Sequence, residues 1–166
     1  MSGLYYAQNA AYPTTAAPVK MTTGTSVKTL LQVATPSTQD IHVVEWGISF
    51  DGSAAATPIE CELVDTGAVG ATSLTALTPS LYSPDAAVAS LCVGGTSATG
   101  FNSGSSTEGT ITSTRYGDLQ LIAPTNQYVK QWPLGREFYV AASHFLRVRV
   151  TAAAAVNAYC YVVWQE

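Results

Sequence analysis

Three runs of strict alternation between Thr22 and Asp65 constrain this chain more than any other feature. Val27, Thr29, Leu31 and Val33 share one face of the first run. His42, Val44, Trp46, Ile48 and Phe50 share one face of the second, and Ile59, Cys61 and Leu63 one face of the third. A period of two is the strand signal, because successive Cβ atoms point to opposite faces of a sheet. The intervening segments ATPSTQD and DGSAAATP carry the Pro, Gly, Asp and Ser that break strands for known backbone reasons. No segment offers a convincing helical period, so the chain reads as an all-β module. Such modules more often bind or build than catalyse.

The end of the chain is as regular as its start. Glu137–Ala142, Phe145–Thr151 and Val156–Trp164 read as strands, the last two joined by Ala152–Ala155. Leu146, Val148 and Val150 alternate with Arg147 and Arg149. Ala158, Cys160, Val162 and Trp164 alternate with Tyr159, Tyr161 and Val163. Both faces of this last strand are apolar enough to place it centrally in a sheet or beneath a neighbouring subunit. Further strands are expected at Thr110–Thr114, Asp118–Ala123 and Tyr128–Trp132. Residues 66–109 are rich in Gly, Ser, Thr and Pro, with short apolar islands at Leu74–Leu77 and Ala87–Val93 and an exposed tip at Asn102–Gly109. Short strands around a loop-rich middle predict an antiparallel β-sandwich, jelly-roll or Greek-key-like, over residues 25–166. Its core anchors are Trp46, Phe50, Leu63, Val148 and Trp164. An immunoglobulin-type domain competes, although Cys61 and Cys160 straddle Trp132 at too long an interval for its signature.

Residues 1–24 form a different segment. Tyr5, Tyr6 and Tyr12 punctuate a small-residue stretch in which Pro13 and Pro18 block helix. It reads as an extended N-terminal arm, and its three tyrosines as an assembly or docking element. Only 11% of all residues are charged, against about 25% in an average globular domain. A small protein so poor in charge either covers its surface with Ser, Thr, Ala and Asn or hides part of it against partners, so self-association is expected. A net charge of −4 and scattered Lys and Arg argue against nucleic acid as a partner. No apolar run approaches the roughly 20 residues of a membrane span. The start of the chain lacks a basic region followed by a continuous apolar one, so synthesis in a cytosol is expected.

Candidate chemistry is sparse. His42 and His144 are isolated, and no Cys-x-x-Cys or His-x-His spacing suggests zinc, so neither metal nor cofactor is expected. Glu60 and Glu62 share an outward strand face, where solvation is the simpler role for both. Arg147 and Arg149 share another and read as partners in rim salt bridges. Cys61, Cys92 and Cys160 read as structural thiols. No Ser sits in a Gly-x-Ser-x-Gly elbow. The chain is therefore expected not to be an enzyme. Two binding classes stay open: a carbohydrate-binding, lectin-like module using Tyr82, Tyr116, Tyr128 and Trp132, and a virion subunit such as a tail-tube protein.

Several segments carry a more specific likeness. VKTLLQVATPS, VVEWGISFDG, ECELVDTG, QWPLGREFYV and the closing LRVRV and AYCYVVWQE together resemble the head decoration, or cement, proteins of tailed bacteriophages that infect actinobacteria. The likeness covers both ends of the domain but neither the arm nor the central loops. It implies a β-rich, often trimeric structural protein on the capsid exterior, at three-fold or quasi-three-fold positions. Its partners would be copies of itself and the major capsid protein lattice.

Overall fold

The computed structural model describes residues 3–82, 89–104 and 107–166. Among them lie thirteen strands and no helix. In chain order these are β1 (Leu4–Gln8), β2 (Met21–Thr22), β3 (Lys28–Ala34), β4 (Ile41–Phe50), β5 (Ile59–Asp65), β6 (Thr75–Ala76), β7 (Ser80–Leu81), β8 (Gly100–Phe101), β9 (Arg115–Ile122), β10 (Gln127–Gln131), β11 (Phe138–Val140), β12 (Phe145–Thr151) and β13 (Asn157–Gln165). Two antiparallel sheets pack into a sandwich. Sheet A runs β10-β4-β13-β1-β7, with β11 also pairing β4 and β2 also pairing β13; sheet B runs β6-β8-β3-β12-β5-β9. The chain crosses between the layers at β2–β3, β3–β4, β4–β5, β6–β7, β7–β8, β9–β10, β11–β12 and β12–β13, so strands adjacent in sequence often lie in opposite layers. The apolar final strand, β13, sits centrally between β4 and β1.

The core is built from the inward residues of both layers. Trp46, Phe50 and Trp164 come from sheet A and Leu63 and Val148 from sheet B, all in one buried cluster with Leu31, Val33, Cys61 and Val162. Three strands depart from strict alternation, with Leu30 extra on β3, Gly117 on β9 and Val44 on β4. The first turns Thr29 away from the inward face of Leu31 and Val33, where the sequence period puts it, and toward Glu108 on the outer face. Opposite β13, Val163 pairs with Glu45 but Trp164 pairs with Val43, which leaves Val44 as an extra residue. Such a bulge shifts the phase of the strand by one. Ile41 and Val43 therefore face the core before it, and Trp46, Ile48 and Phe50 after it. An uninterrupted period puts His42 and Val44 inside; instead His42 is exposed and Val44 half-buried.

The first residues also differ from an arm running through residue 24. Leu4–Gln8 pairs in register with Gln165–Tyr161, and Tyr5 is only 3% exposed, stacked on Trp164 at 6.3 Å between ring centroids. Pairing along the edge of β13 brings Tyr5 and Ala7 into the core beside Trp164 and Val162. Met21 then pairs with Ala158 on the same edge. Between them Asn9 continues the ladder: its backbone N–H donates to Cys160 O, its Oδ1 accepts from Cys160 N–H, and its Nδ2 donates to Ala158 O. Residues 11–20, all exposed, are thus an excursion looped out of one nearly continuous edge strand. Tyr12 belongs to that excursion, and Tyr6 is half-buried on β1.

The central third is less open than its composition suggests. Loops from it lie across part of the outer face of sheet B, pinned by side chains of β3 and β12. Gln32 Nε2 donates to Ala98 O and Gln32 Oε1 accepts from Ala71 N–H. Glu108 accepts from Thr29 N–H and Thr29 Oγ1–H, at 2.8 and 2.6 Å. Asn102 is fully buried, so the expected tip begins inside the molecule, although Ser103, Gly104, Thr107 and Gly109 are exposed. Ser105 and Ser106 lie outside the described residues, as do Ala87 and Val88 of one apolar island. Thr110–Thr114 is not a strand; one strand, β9, begins at Arg115.

Candidate interaction surface

The outer face of sheet A carries a shallow groove of about 240 Å³. Its floor and walls come from alternate, outward-facing residues of four adjacent strands: Tyr6 and Gln8 on β1, Tyr159 and Tyr161 on β13, Ser49 on β4 and Val129 on β10. Pro18 of the excursion closes one side and accepts a hydrogen bond from Tyr159 Oη at 2.6 Å. Gly47 makes the groove possible at its upper end. The Tyr161 ring lies directly over it, and a Cβ there would stand 2.5 Å from the ring. Tyr161 packs against Tyr6 at 5.7 Å and donates its hydroxyl proton to Glu45, which also accepts from Gln131 Nε2. Burial, then the Glu45 carboxylate, pushes the Tyr161 phenol up, and burial pushes Tyr6 up to about 12, so both rings stay neutral.

Farther along the edge of β4 that β10 and β11 cover in succession, the chain leaves β10 and returns as β11 through Trp132–Glu137. Pro133 O accepts from Arg136 N–H at 3.0 Å, and Gly135 has φ +77°, a type II turn that demands glycine at its third position. Both flanks are fixed. Trp132 N–H donates to Val44 O at the bulge, Trp132 stacks on Phe138, and Gly135 N–H donates to the Glu137 carboxylate at 2.9 Å. The turn thereby holds Leu134 92% exposed.

Buried polar groups mark where the two layers and the loops are tied. Asp118 is inside the edge between β9 and β10, where Oδ2 accepts from Trp46 Nε1 and Tyr128 Oη and Oδ1 from Gln120 Nε2. Burial raises its carboxyl, but the Gln120 and Tyr128 bonds and the Lys130 ammonium at 3.3 Å outweigh it and hold the pKa below the ordinary value. Arg147, read from the sequence as a rim residue, is fully buried because the loops cover it. It is 3.3 Å from the Glu108 carboxylate, bonded to Glu108 O and Val69 O, and its Nε has no partner among the described residues. Arg149 pairs with Glu62 at 2.6 Å, while Glu60 is exposed.

The structure brings together one pair that sequence spacing could not reveal. His144 Nδ1 lies 3.0 Å from both Asp65 oxygens, with Arg115 3.8 Å away. The contact ties the end of β5 to the residue before β12. Cys61, Cys92 and Cys160 are buried free thiols, and burial raises all three pKa values, Cys61 to about 12. No group of three His, Cys, Asp or Glu among the described residues could hold a metal ion. The four aromatics suggested for sugar binding do not share a platform. Tyr82 lies near Tyr6, Tyr128 is bonded to Asp118, Trp132 is stacked on Phe138, and Tyr116 is on β9. Pro133–Leu134–Gly135 reads from sequence as the close of the Tyr128–Trp132 strand, and a turn lies there. The groove escaped sequence reading, because its residues come together only through strand order. No protein-family model, curated protein or solved structure matches the chain.

Proposed function

We propose that the chain is a virion structural protein that decorates the outer surface of a bacteriophage capsid and reinforces it without catalysis. The single observation that carries this reading is the open outer face of sheet A. It is aromatic, lacks basic side chains in its groove, and belongs to the sheet whose β10–β11 turn holds an exposed leucine, on a sandwich whose interior is already filled. Exposed apolar groups arranged this way favour protein surfaces as partners. The resemblance of β3–β5, the 132–137 turn and β12–β13 to decoration proteins supports the same reading. Copies of the chain, as a homotrimer, would bridge junctions of the capsid protein lattice. Binding only the assembled shell stabilises it by mass action, and many copies let weak contacts add. The protein would be made in the host cytoplasm and end on the capsid exterior. Electron microscopy of the source particle, with a heated sample lacking this chain, tests the proposal. Copies at three-fold positions and lower heat resistance without them are expected. Copies in the tail, or none on the shell, overturn it.

A further inference from the structure

The turn and the groove are complementary parts of the same molecule. Leu134 leaves almost all of its side chain in water on a turn whose geometry is fixed at both ends. A side chain held this way loses little conformational freedom on docking, so its burial converts efficiently into affinity. Leu134 cannot be accounted for by the core, since no described residue covers it. The groove offers what an aliphatic tip needs: Tyr6, Tyr159 and Tyr161 rings, Val129 half open to solvent at 53% exposure, and a volume of about 240 Å³.

Charge supports the same match. Arg136, two residues beyond Leu134, is exposed and has no carboxylate at ion-pair distance among the described residues. Glu45, bonded to Tyr161 at the groove, has no cation at that distance among the described residues. An apolar tip followed by a free cation thus faces the chemistry of an apolar groove edged by a carboxylate without a counter-ion.

We propose that the occupant of the groove is a second copy of this chain: the Trp132–Glu137 turn of one subunit seats Leu134 between Tyr159, Tyr161 and Val129 of the next, with Arg136 against Glu45. Knob and groove are different patches, so a head-to-tail contact closes into a ring if the rotation allows. The inference rests on the self-association in the reading above and specifies its surfaces. It does not depend on what the assembly binds.

Sedimentation velocity of the full chain without capsids tests it. Wild type is expected to self-associate with rising concentration. Leu134→Asp, which spoils the knob, and Val129→Glu, which spoils the groove, each weaken association at least about tenfold, the size of a lost central contact. Both positions are exposed, so thermal unfolding of the variants should match wild type. An equimolar mixture keeps one intact knob and one intact groove and should form a two-chain species that neither variant forms alone. A wild type that stays monomeric, a folded variant that assembles normally, or a mixture that fails to pair overturns the contact. Capsid binding, read separately by co-sedimentation with shells, shows whether the reading above survives that result.

Discussion

The two outer faces of this sandwich are finished in opposite ways. Over Gln32 and Arg147, sheet B is closed by loops that its own polar side chains hold down. Gln32 and Thr29 saturate loop backbone and carboxylate groups, and Arg147 is buried with Glu108 above it. Among the described residues, sheet A has no such cover across Tyr6, Tyr159 and Tyr161 beyond Pro18 at one side, although its side chains are larger and more apolar. A buried charge needs its partner and its hydrogen bonds at once, so the closed face is expensive to disturb. An open aromatic face can be altered with little effect on folding. Stability and interaction are therefore assigned to different surfaces of one small fold.

The largest effect should come from the interior that both faces share. Trp46→Ala removes a fully buried indole and should cost about 3–5 kcal/mol in chemical denaturation. A loss under about 1 kcal/mol would mean that the bulge at Val44 has been misplaced and Trp46 is not a core residue.

Next is the closed face. Glu108→Ala leaves the Arg147 charge buried without its carboxylate and should cost about 3 kcal/mol, while Arg147→Met, which removes the charge itself, should cost less. Equal losses for the two variants would show that packing, not charge pairing, seals sheet B.

Acid sharpens the contrast further. Asp118 and Glu166 have folded pKa values held below the ordinary ones. For Glu166, burial is outweighed by bonds from Ser90 Oγ, Leu91 N–H and Trp164 Nε1. Groups shifted in this direction add stability that is fully present above the unfolded carboxyl value, near 4, and is lost as pH falls through the folded value. Unfolding free energy should therefore drop on acidification below about pH 4, and Asp118→Asn should flatten the drop. An unchanged acid profile in that variant would remove Asp118 from the account.

The smallest effect belongs to the excursion. Joining Ala10 to Met21 and deleting residues 11–20 puts Asn9, Ala10 and Met21 opposite Cys160, Tyr159 and Ala158 in an unbroken strand. Stability should change by less than about 1 kcal/mol, since closing entropy varies slowly with loop length. A larger loss would show that Pro18 and Tyr12 support the sheet.

These contrasts also explain what was legible from residues alone. Ile59, Cys61 and Leu63, like Leu146, Val148 and Val150, keep an unbroken inward period of two, so period-two reading locates their strands. The Ile41–Phe50 strand defeats it at Val44, because an extra residue inverts the face without altering composition. Tyr5 could not be separated from Tyr12 by sequence, since only the pairing of β1 with β13 puts Tyr5 beside Trp164 in the core. Arg147 looks like a surface arginine until residues some forty to eighty positions away fold over it. The groove needs β1, β4, β10 and β13 side by side, an order that alternation does not encode.

Hydroxyl-radical footprinting of the full chain at low and high concentration tests most directly the claim that sheet A is the interaction face. Tyr159, Tyr161, Val129 and Leu134 should become protected as concentration rises, while Leu121, 70% exposed on β9, keeps its reactivity. Protection of Leu121 and Leu119 with unchanged reactivity at the tyrosines would contradict the account and place the interaction on sheet B.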